Sequence, residues 1–245
     1  MIMELSNRYM LEWLEGTYAV GLFSAGYKFG IFGLIVVMGF NMGWTPYFLK
    51  RIKEKDAKVD FSSISSLFLG LLGFVVVLIS LWSSEIVRFN IGPYHLIGNN
   101  YWDSEKIIPI VLLGYFFFGT YILQLPGVYS KKITRWVPIF RAIGASTNIF
   151  LNILLIPKYG IVGSACATAA AFLLMSFSVY VKLYKIYFVR YNWLALFYPI
   201  FFIALTFLSI NTLGYRLAIT LSYLLGWYYI ALNNDERLTL KGLLS

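Results

Sequence analysis

The stretch that most limits what this chain can fold into runs from Tyr18 to Lys50, YAVGLFSAGYKFGIFGLIVVMGFNMGWTPYFLK. It is apolar throughout except for Lys28. A helix needs about 20 mostly apolar residues to cross a hydrocarbon layer about 30 Å thick. This run exceeds that requirement, with length to spare at its inner end. Lys50, Arg51, Lys53, Lys55 and Lys58 follow it directly, and such a basic cluster is held on the cytoplasmic side. The run is therefore expected to cross from outside to inside, and every later crossing takes its direction from it.

The rest of the chain repeats the pattern. Of 245 residues, 60% are hydrophobic and only 13% charged, where a soluble domain carries nearer a quarter. The apolar residues fall in blocks at roughly 18–49, 64–83, 107–126, 136–156, 161–181, 193–213 and 217–232, read as seven spans. The blocks are continuously apolar and do not alternate, and backbone in lipid must satisfy its own hydrogen bonds, so helices are expected. The fold class is an all-α polytopic membrane bundle. Residues 1–17 hold Glu4, Glu12 and Glu15 against one Arg8, unlike the basic start of a signal peptide. They read as an outer N-terminal segment, with the bundle in 18–245.

Lysine and arginine test that topology. The loops after the first, third and fifth spans and the C-terminal tail carry 13 of the 20 basic residues; the opposite side carries five (Arg8, Arg88, Lys106, Lys158, Arg216), and Lys28 and Arg141 lie within spans. This asymmetry expects the N-terminus outside and the C-terminus in the cytoplasm. The same scatter over loops, instead of one basic face, argues against nucleic acid as a partner despite a net charge of +9. Loops are short, apart from an outer one around Gly92, Pro93 and Tyr94. Pro157, Gly160 and Gly163 mark a tight turn between the fourth and fifth spans.

Small residues recur at spacings of four: Gly26 and Gly30, Gly39 and Gly43, and Gly163, Ala167 and Ala171. Such stripes let helices approach closely in lipid, and they also permit bending. Cys166, the single cysteine, lies among alanines as packing filler.

Charge inside the membrane is costly and usually faces a cavity or the protein interior. Lys28 lies about 15 Å along its helix from Tyr18 at 1.5 Å per residue, so it either faces a cavity or reaches back to the outer surface. Arg141, Ala145, Asn148 and Asn152 return to one helical angle and make a polar stripe on the fourth span. That stripe is either a wet wall or hydrogen-bonding glue between helices, and Arg141, only about five residues into its span, can also reach the cytoplasmic surface. Thr120 and Gln124 form a weaker polar face, and Asn41 points away from Lys28 and is expected to pack. Apart from Glu85 at a span end, no acid falls within a span. His95 beside Asp103 and Glu105 reads as solvated loop and not a metal site. No nucleophile elbow, phosphate-cradling glycine loop or paired metal-ligand motif is present. Neither enzyme chemistry, a cofactor nor a metal is expected, and the intramembrane cations suit an anion.

Residues 107–171, IIPIVLLGYFFFGTYILQLPGVYSKKITRW followed by IGASTNIFLNILLIPKYGIVGSACATAAA, resemble the C-terminal module of polysaccharide and O-antigen flippases. Those belong to the multidrug/oligosaccharidyl-lipid/polysaccharide exporter superfamily, and the likeness within 106–190 is densest in the GVYSKK and LIPKYGIVGSA motifs. SNRYML at 6–11 and VGLFSAGYKFG at 20–30 are similar to the entry of that family's second lobe, except that Asn7 stands where an acid is common. Family members have two such lobes and about twice this length. The resemblance implies a transporter, or half of one, at the bacterial inner membrane. It would flip a polyprenyl-pyrophosphate-linked oligosaccharide for surface polysaccharide or O-antigen assembly by alternating access. Arg8, Lys28 and Arg141 would contribute cations, with Asn148 and Asn152 on the wall and Tyr27 as a sugar-stacking side chain. Partners would be the lipid-linked substrate, membrane lipid, and a separate N-terminal lobe or a second copy. The alternatives are a truncated remnant, a drug or cation exporter of the same superfamily, or a membrane glycan enzyme.

Overall fold

The computed structural model describes residues 2–91, 94–95, 97–208 and 212–244. Gly92 and Pro93, at the centre of the expected outer loop, lie outside the described residues, as do 209–211 within the expected sixth span.

The long helices are α1 (Ile2–Glu15), α2 (Thr17–Arg51), α3 (Ala57–Leu81), α5 (Ile108–Leu123), α7 (Val137–Tyr184), α8 (Trp193–Leu205), α9 (Leu213–Gly226) and α10 (Asn234–Leu244). Short helices α4 (Ser83–Val87) and α6 (Leu125–Ser130) extend α3 and α5. A 3-10 segment, Asn99–Ile107, leads into α5. The extended backbone among the described residues is one antiparallel bridge, Asn90–Ile91 with Tyr94–His95.

Four helices, Thr17–Arg51, Ala57–Leu81, Asn99–Ser130 and Thr134–Tyr184, are long and apolar enough to cross a membrane. The seven blocks expected from sequence are thus grouped differently. The fourth and fifth are the two arms of α7, and the sixth and seventh correspond to the shorter α8 and α9. Gly160 separates the two arms: its φ of 52° and ψ of −130° take the backbone out of the helical region, a conformation open mainly to glycine. The contacts show that α7 folds back on itself there. Gly163 lies against the Leu155 carbonyl, Asn148 Nδ2 donates to Thr168 Oγ1 at 3.2 Å, and a Cβ on Gly144 would lie 3.3 Å from Met175 Cβ. These pairings run in opposite sequence order, so arms 137–159 and 161–184 form an antiparallel hairpin. The Gly163, Ala167, Ala171 stripe is buried along the seam.

Charge collects at the two ends of the bundle and leaves the middle apolar. At one end Arg51 pairs with Asp60 at 2.6 Å, Lys182 sits over Trp136 at 3.7 Å and Lys58 over Tyr187 at 4.7 Å. At the other end Lys106 pairs with Asp103 at 2.7 Å, Arg88 with Glu105 at 3.0 Å and Arg216 with Glu85. A helix bundle whose flanks are apolar and whose ends hold the ion pairs fits a membrane. Outward-facing Ile35, Phe150, Phe177 and Phe201 are all exposed on those flanks, where lipid and not water would meet them.

The main core joins α2, α3, α5 and α7 through Val37, Phe48, Phe61, Leu72, Phe116, Tyr121 and Val179. A second cluster joins α1 to α2, α5 and α7 through Leu11, Phe23, Tyr27, Val111, Tyr115 and Ile156. Gly16, at φ 86°, separates α1 from α2. Of the segment 1–17 read from sequence as an outer tail, Ile2–Glu15 is thereby turned back as a packed helix in the cleft between α2 and the first arm of α7.

Candidate functional site

The site grows from the way α1 fills that cleft. Met3, Ser6 and Asn7 lie opposite Gly144, Asn148 and Asn152 in turn, so α1 runs parallel to the first arm of α7. Asn7, fully buried, therefore reaches the level of the middle of that arm. A polar side chain at such depth needs partners, and a network between α1 and α7 supplies them, with Asn152 Oδ1 left over. Asn152 Nδ2 donates to Asn7 Oδ1 at 2.8 Å, Asn7 Nδ2 donates to Thr168 Oγ1 at 2.7 Å, and Ser6 Oγ donates to Asn148 Oδ1 at 3.0 Å. Thr168 also accepts from Asn148 and donates to the Ser164 carbonyl at 3.1 Å. Of the two readings open for Asn148 and Asn152, this geometry is the glue: both are fully buried between helices and neither faces a passage.

Arg141 and Ala145, on the same stripe, have a different environment. They line a hollow of about 340 Å³ together with Met3, Glu4, Tyr27, Tyr115 and Met175, among others. Arg141 shares the helical angle of fully buried Asn148 and Asn152 and is nonetheless exposed. Its exposure comes from the hollow and not from the outer flank of the bundle. It makes no ion pair with a described residue, and it lies in electrostatic range of the buried Tyr121 hydroxyl. Tyr115 donates to the Tyr27 hydroxyl at 2.9 Å, and the rings meet edge to face at 6.1 Å. Tyr27 is almost fully buried, so it forms the back wall and offers little ring surface for stacking a sugar.

Glu4 changes the electrostatics expected from sequence. Counted there as part of an acidic outer tail, its residue lines the same hollow as Arg141, and its charge reaches Tyr27 and Tyr115. The hollow is amphoteric where a purely cationic one was expected.

Lys28 does not join Arg141. Adjacent residues on a helix point about 100° apart, so Tyr27 faces the Arg141 hollow and Lys28 faces away from it. Lys28 is exposed and borders an open depression with Ser24, Phe32, Gly98 and Tyr101. The segment Asn99–Ile107 descends along α2 here: Tyr18 donates to the Asn100 carbonyl at 2.6 Å, and Gly26 lies under Ser104 and Ile107. Polar loop surface is therefore within reach of the Lys28 ammonium, as in the outer-surface reading. Arg8 is separate again, exposed on the outward face of α1 with Tyr9, Glu12 and Trp13. Of the six residues expected to bind substrate, the structure brings Arg141 and Tyr27 to one hollow, buries Asn148 and Asn152 behind it, and sets Lys28 and Arg8 on other surfaces.

Thr120 and Gln124 lie on another flank of α5. Gln124 Nε2 donates to Ser176 Oγ at 2.8 Å and to the Thr120 carbonyl at 3.0 Å. Asn41 accepts from Thr45 one turn away at 3.2 Å. Among the described residues no group of three or more His, Cys, Asp or Glu could hold a metal.

Sequence reasoning missed Ser6, Asn7 and Thr168. The spacing of Met3, Asn7 and Leu11 on one face of α1 was the available signal, masked by the acids and the arginine around it. Set against models of known families, against characterised proteins and against solved structures, the chain matches none.

Proposed function

We propose that this chain is one half of a membrane transporter whose cargo is an anionic lipid-linked oligosaccharide. The observation that carries this reading is Arg141: a guanidinium on the inward face of a membrane helix, free of ion pairs with described residues, opening into a hollow. Arg141 stands only four residues inside α7 from Val137, where a cation costs less than at mid-membrane; what supports the reading is that it opens into the hollow. Arg141 would meet the pyrophosphate with its planar fork of donors. The identity of the cargo, and the flipping of it for surface polysaccharide assembly, rest on the sequence motifs of residues 6–30 and 106–190. On this reading the hairpin arms, α8 and α9 cross separately, making seven crossings of the cytoplasmic membrane. The lysine-rich end is then in the cytoplasm, and α1, parallel to the first arm of α7, points its N-terminal end, at Met3, toward that same side and not outside as the sequence leads one to expect.

The outward face of α1 supports the half-molecule reading. Arg8 is exposed there, beside Tyr9 and next to Asn7, which sits level with the middle of the first arm of α7. A charge at that depth does not face lipid, so a second lobe or a second copy would cover it and close a passage.

Glu4 favours one other reading, a cation or drug exporter of the same superfamily, because a carboxylate beside Tyr27 suits a cation or a proton. Cells depending on this chain for surface polysaccharide separate the two. Arg141→Ala is expected to abolish assembly with the protein still in the membrane, and Arg141→Lys to retain part of it. Unchanged assembly with Arg141→Ala would overturn the lipid-linked reading. Drug resistance conferred by the chain and lost with Glu4→Gln would establish the exporter instead.

A further inference from the structure

A second hollow of about 340 Å³ lies between α3, α5, the second arm of α7 and α8. It is distinct from the Arg141 hollow. On α5, Tyr115 and Phe118 face Arg141 while Phe117 and Thr120 face this one; on α7, Phe172 and Met175 face Arg141 while Leu173 and Ser176 face this one. The outer wall is the stripe Trp193, Leu196, Phe197 and Ile200 of α8, spaced as one face of a helix.

Its floor holds hydroxyls whose protons are already committed. Ser65 donates to the Phe61 carbonyl at 2.6 Å, Ser66 to the Ser62 carbonyl at 3.2 Å and Thr120 to the Phe117 carbonyl at 2.7 Å. A buried water needs two to four polar partners to be held, and the one buried side-chain acceptor here that lacks a partner is Gln124 Oε1. The hydroxyl oxygens still accept, but most of the lining, Leu69, Phe117, Leu123, Leu173, Leu196 and Ile200 among it, is carbon, so the hollow is roomy and offers a hydrocarbon chain more contact than it offers water.

Two features identify what fills it. Its mouth is flanked by Leu173, Phe177, Trp193 and Phe197, all exposed on the apolar outer surface, so it is continuous with the lipid-facing flank. At the lysine-rich end its rim adjoins Arg190, whose carbonyl accepts from Ser62 Oγ at 2.7 Å and whose residue is exposed without a described ion pair. From Ser62 to Leu69 the floor runs about 10 Å towards the middle of the bundle at 1.5 Å per residue. We infer that this hollow is a lipid site that holds one acyl chain of a bilayer phospholipid, with Arg190 at the phosphate.

The inference requires only that the bundle is in a membrane, and it stands or falls apart from the transport reading. The test is photo-crosslinking of the wild-type protein in nanodiscs with a phospholipid carrying a diazirine on one acyl chain, the adducts being mapped by peptide. Adducts on inward-facing Ser66, Thr120 and Ser176 are expected, with loss of those at Ser66 and Thr120 in Ser176→Leu and a lower yield in Arg190→Ala. Adducts confined to exposed Phe177 and Phe197 would mean surrounding lipid only and would overturn the site. Displacement by an unlabelled polyprenyl phosphate, but not by unlabelled phospholipid, would give the hollow to an isoprenoid and overturn the phospholipid assignment.

Discussion

Asn7 and Asn152, 145 positions apart in the chain, share a hydrogen bond of 2.8 Å in the fully buried interior. That bond holds an N-terminal helix in a cleft that would otherwise lie open beside Arg141. The polar stripe of α7 therefore has two uses: its outer half fastens α1, and its inner half lines the hollow.

The first prediction concerns this fastening. Interhelical hydrogen bonds in membranes contribute on average about 0.6 kcal/mol and at most about 1.7. Asn7→Ala and Asn152→Ala should each destabilise the protein by about 1 kcal/mol. Their double-mutant cycle should return a coupling of a few tenths or more. Unfolding in mixed micelles measures this, and strictly additive losses would refute the pairing.

The second prediction concerns the turn of α7. At φ 52° and ψ −130°, a side chain on residue 160 is strained by about 1–3 kcal/mol. Gly160→Ala should lower the folded yield and the melting temperature. Gly43→Ala is the control: a Cβ there meets nothing within 4 Å, and alanine in mid-helix should raise stability by about 0.5–1 kcal/mol. Equal effects at the two sites would contradict the hairpin.

The third prediction uses the pair Arg216–Glu85. Arg216 is 5% exposed and stacks over Trp82 at 5.4 Å, whereas the Glu85 side chain is 46% exposed. Removing the acid takes one partner from a buried cation; removing the arginine leaves an acid that water can reach. Glu85→Gln should therefore destabilise by about 1–2 kcal/mol, discounted for its exposure. Replacing Arg216 by Met should cost less than that. Thermal unfolding of both variants decides it, and the reverse order would refute the asymmetry.

The fourth prediction maps water. In a Cys166→Ala background, Ala145→Cys should react with a membrane-impermeant maleimide, because residue 145 lines the Arg141 hollow. Ile153→Cys, exposed on the outer flank of α7, should react only with a lipid-soluble reagent. Equal labelling at both positions would mean that the hollow is not wet.

The fifth prediction separates the two intramembrane cations. Lys28→Gln should leave surface polysaccharide assembly nearly unchanged, while Arg141→Ala removes it. Lys28 borders the loop side of α2 near Tyr101 and does not share the hollow with Arg141. Equal loss in both variants would bring Lys28 back to the substrate.

Composition and block lengths by themselves determined an all-α membrane bundle, and the lysine distribution determined which loops share an end. Both are local properties: an apolar block of sufficient length is a membrane helix whatever its neighbours, and a basic loop is excluded from lipid on its own account. Pro157, Gly160 and Gly163 likewise marked the hairpin turn, since glycine's conformational freedom belongs to the residue. Only tertiary structure decided which polar residue faces which surface. Arg141 and Asn148 share a helical angle and differ in burial because Ser6 and Asn7 of α1 cover Asn148 and Asn152 while Arg141 lines a hollow, and Lys28 meets a depression edged by Gly98 and Tyr101 while Tyr27, one step round α2, meets Tyr115. Glu4, read as solvated tail, enters the hollow because Gly16 turns α1 back into the cleft. Periodicity states the angle a side chain takes on its own helix; what stands opposite depends on how distant helices pack.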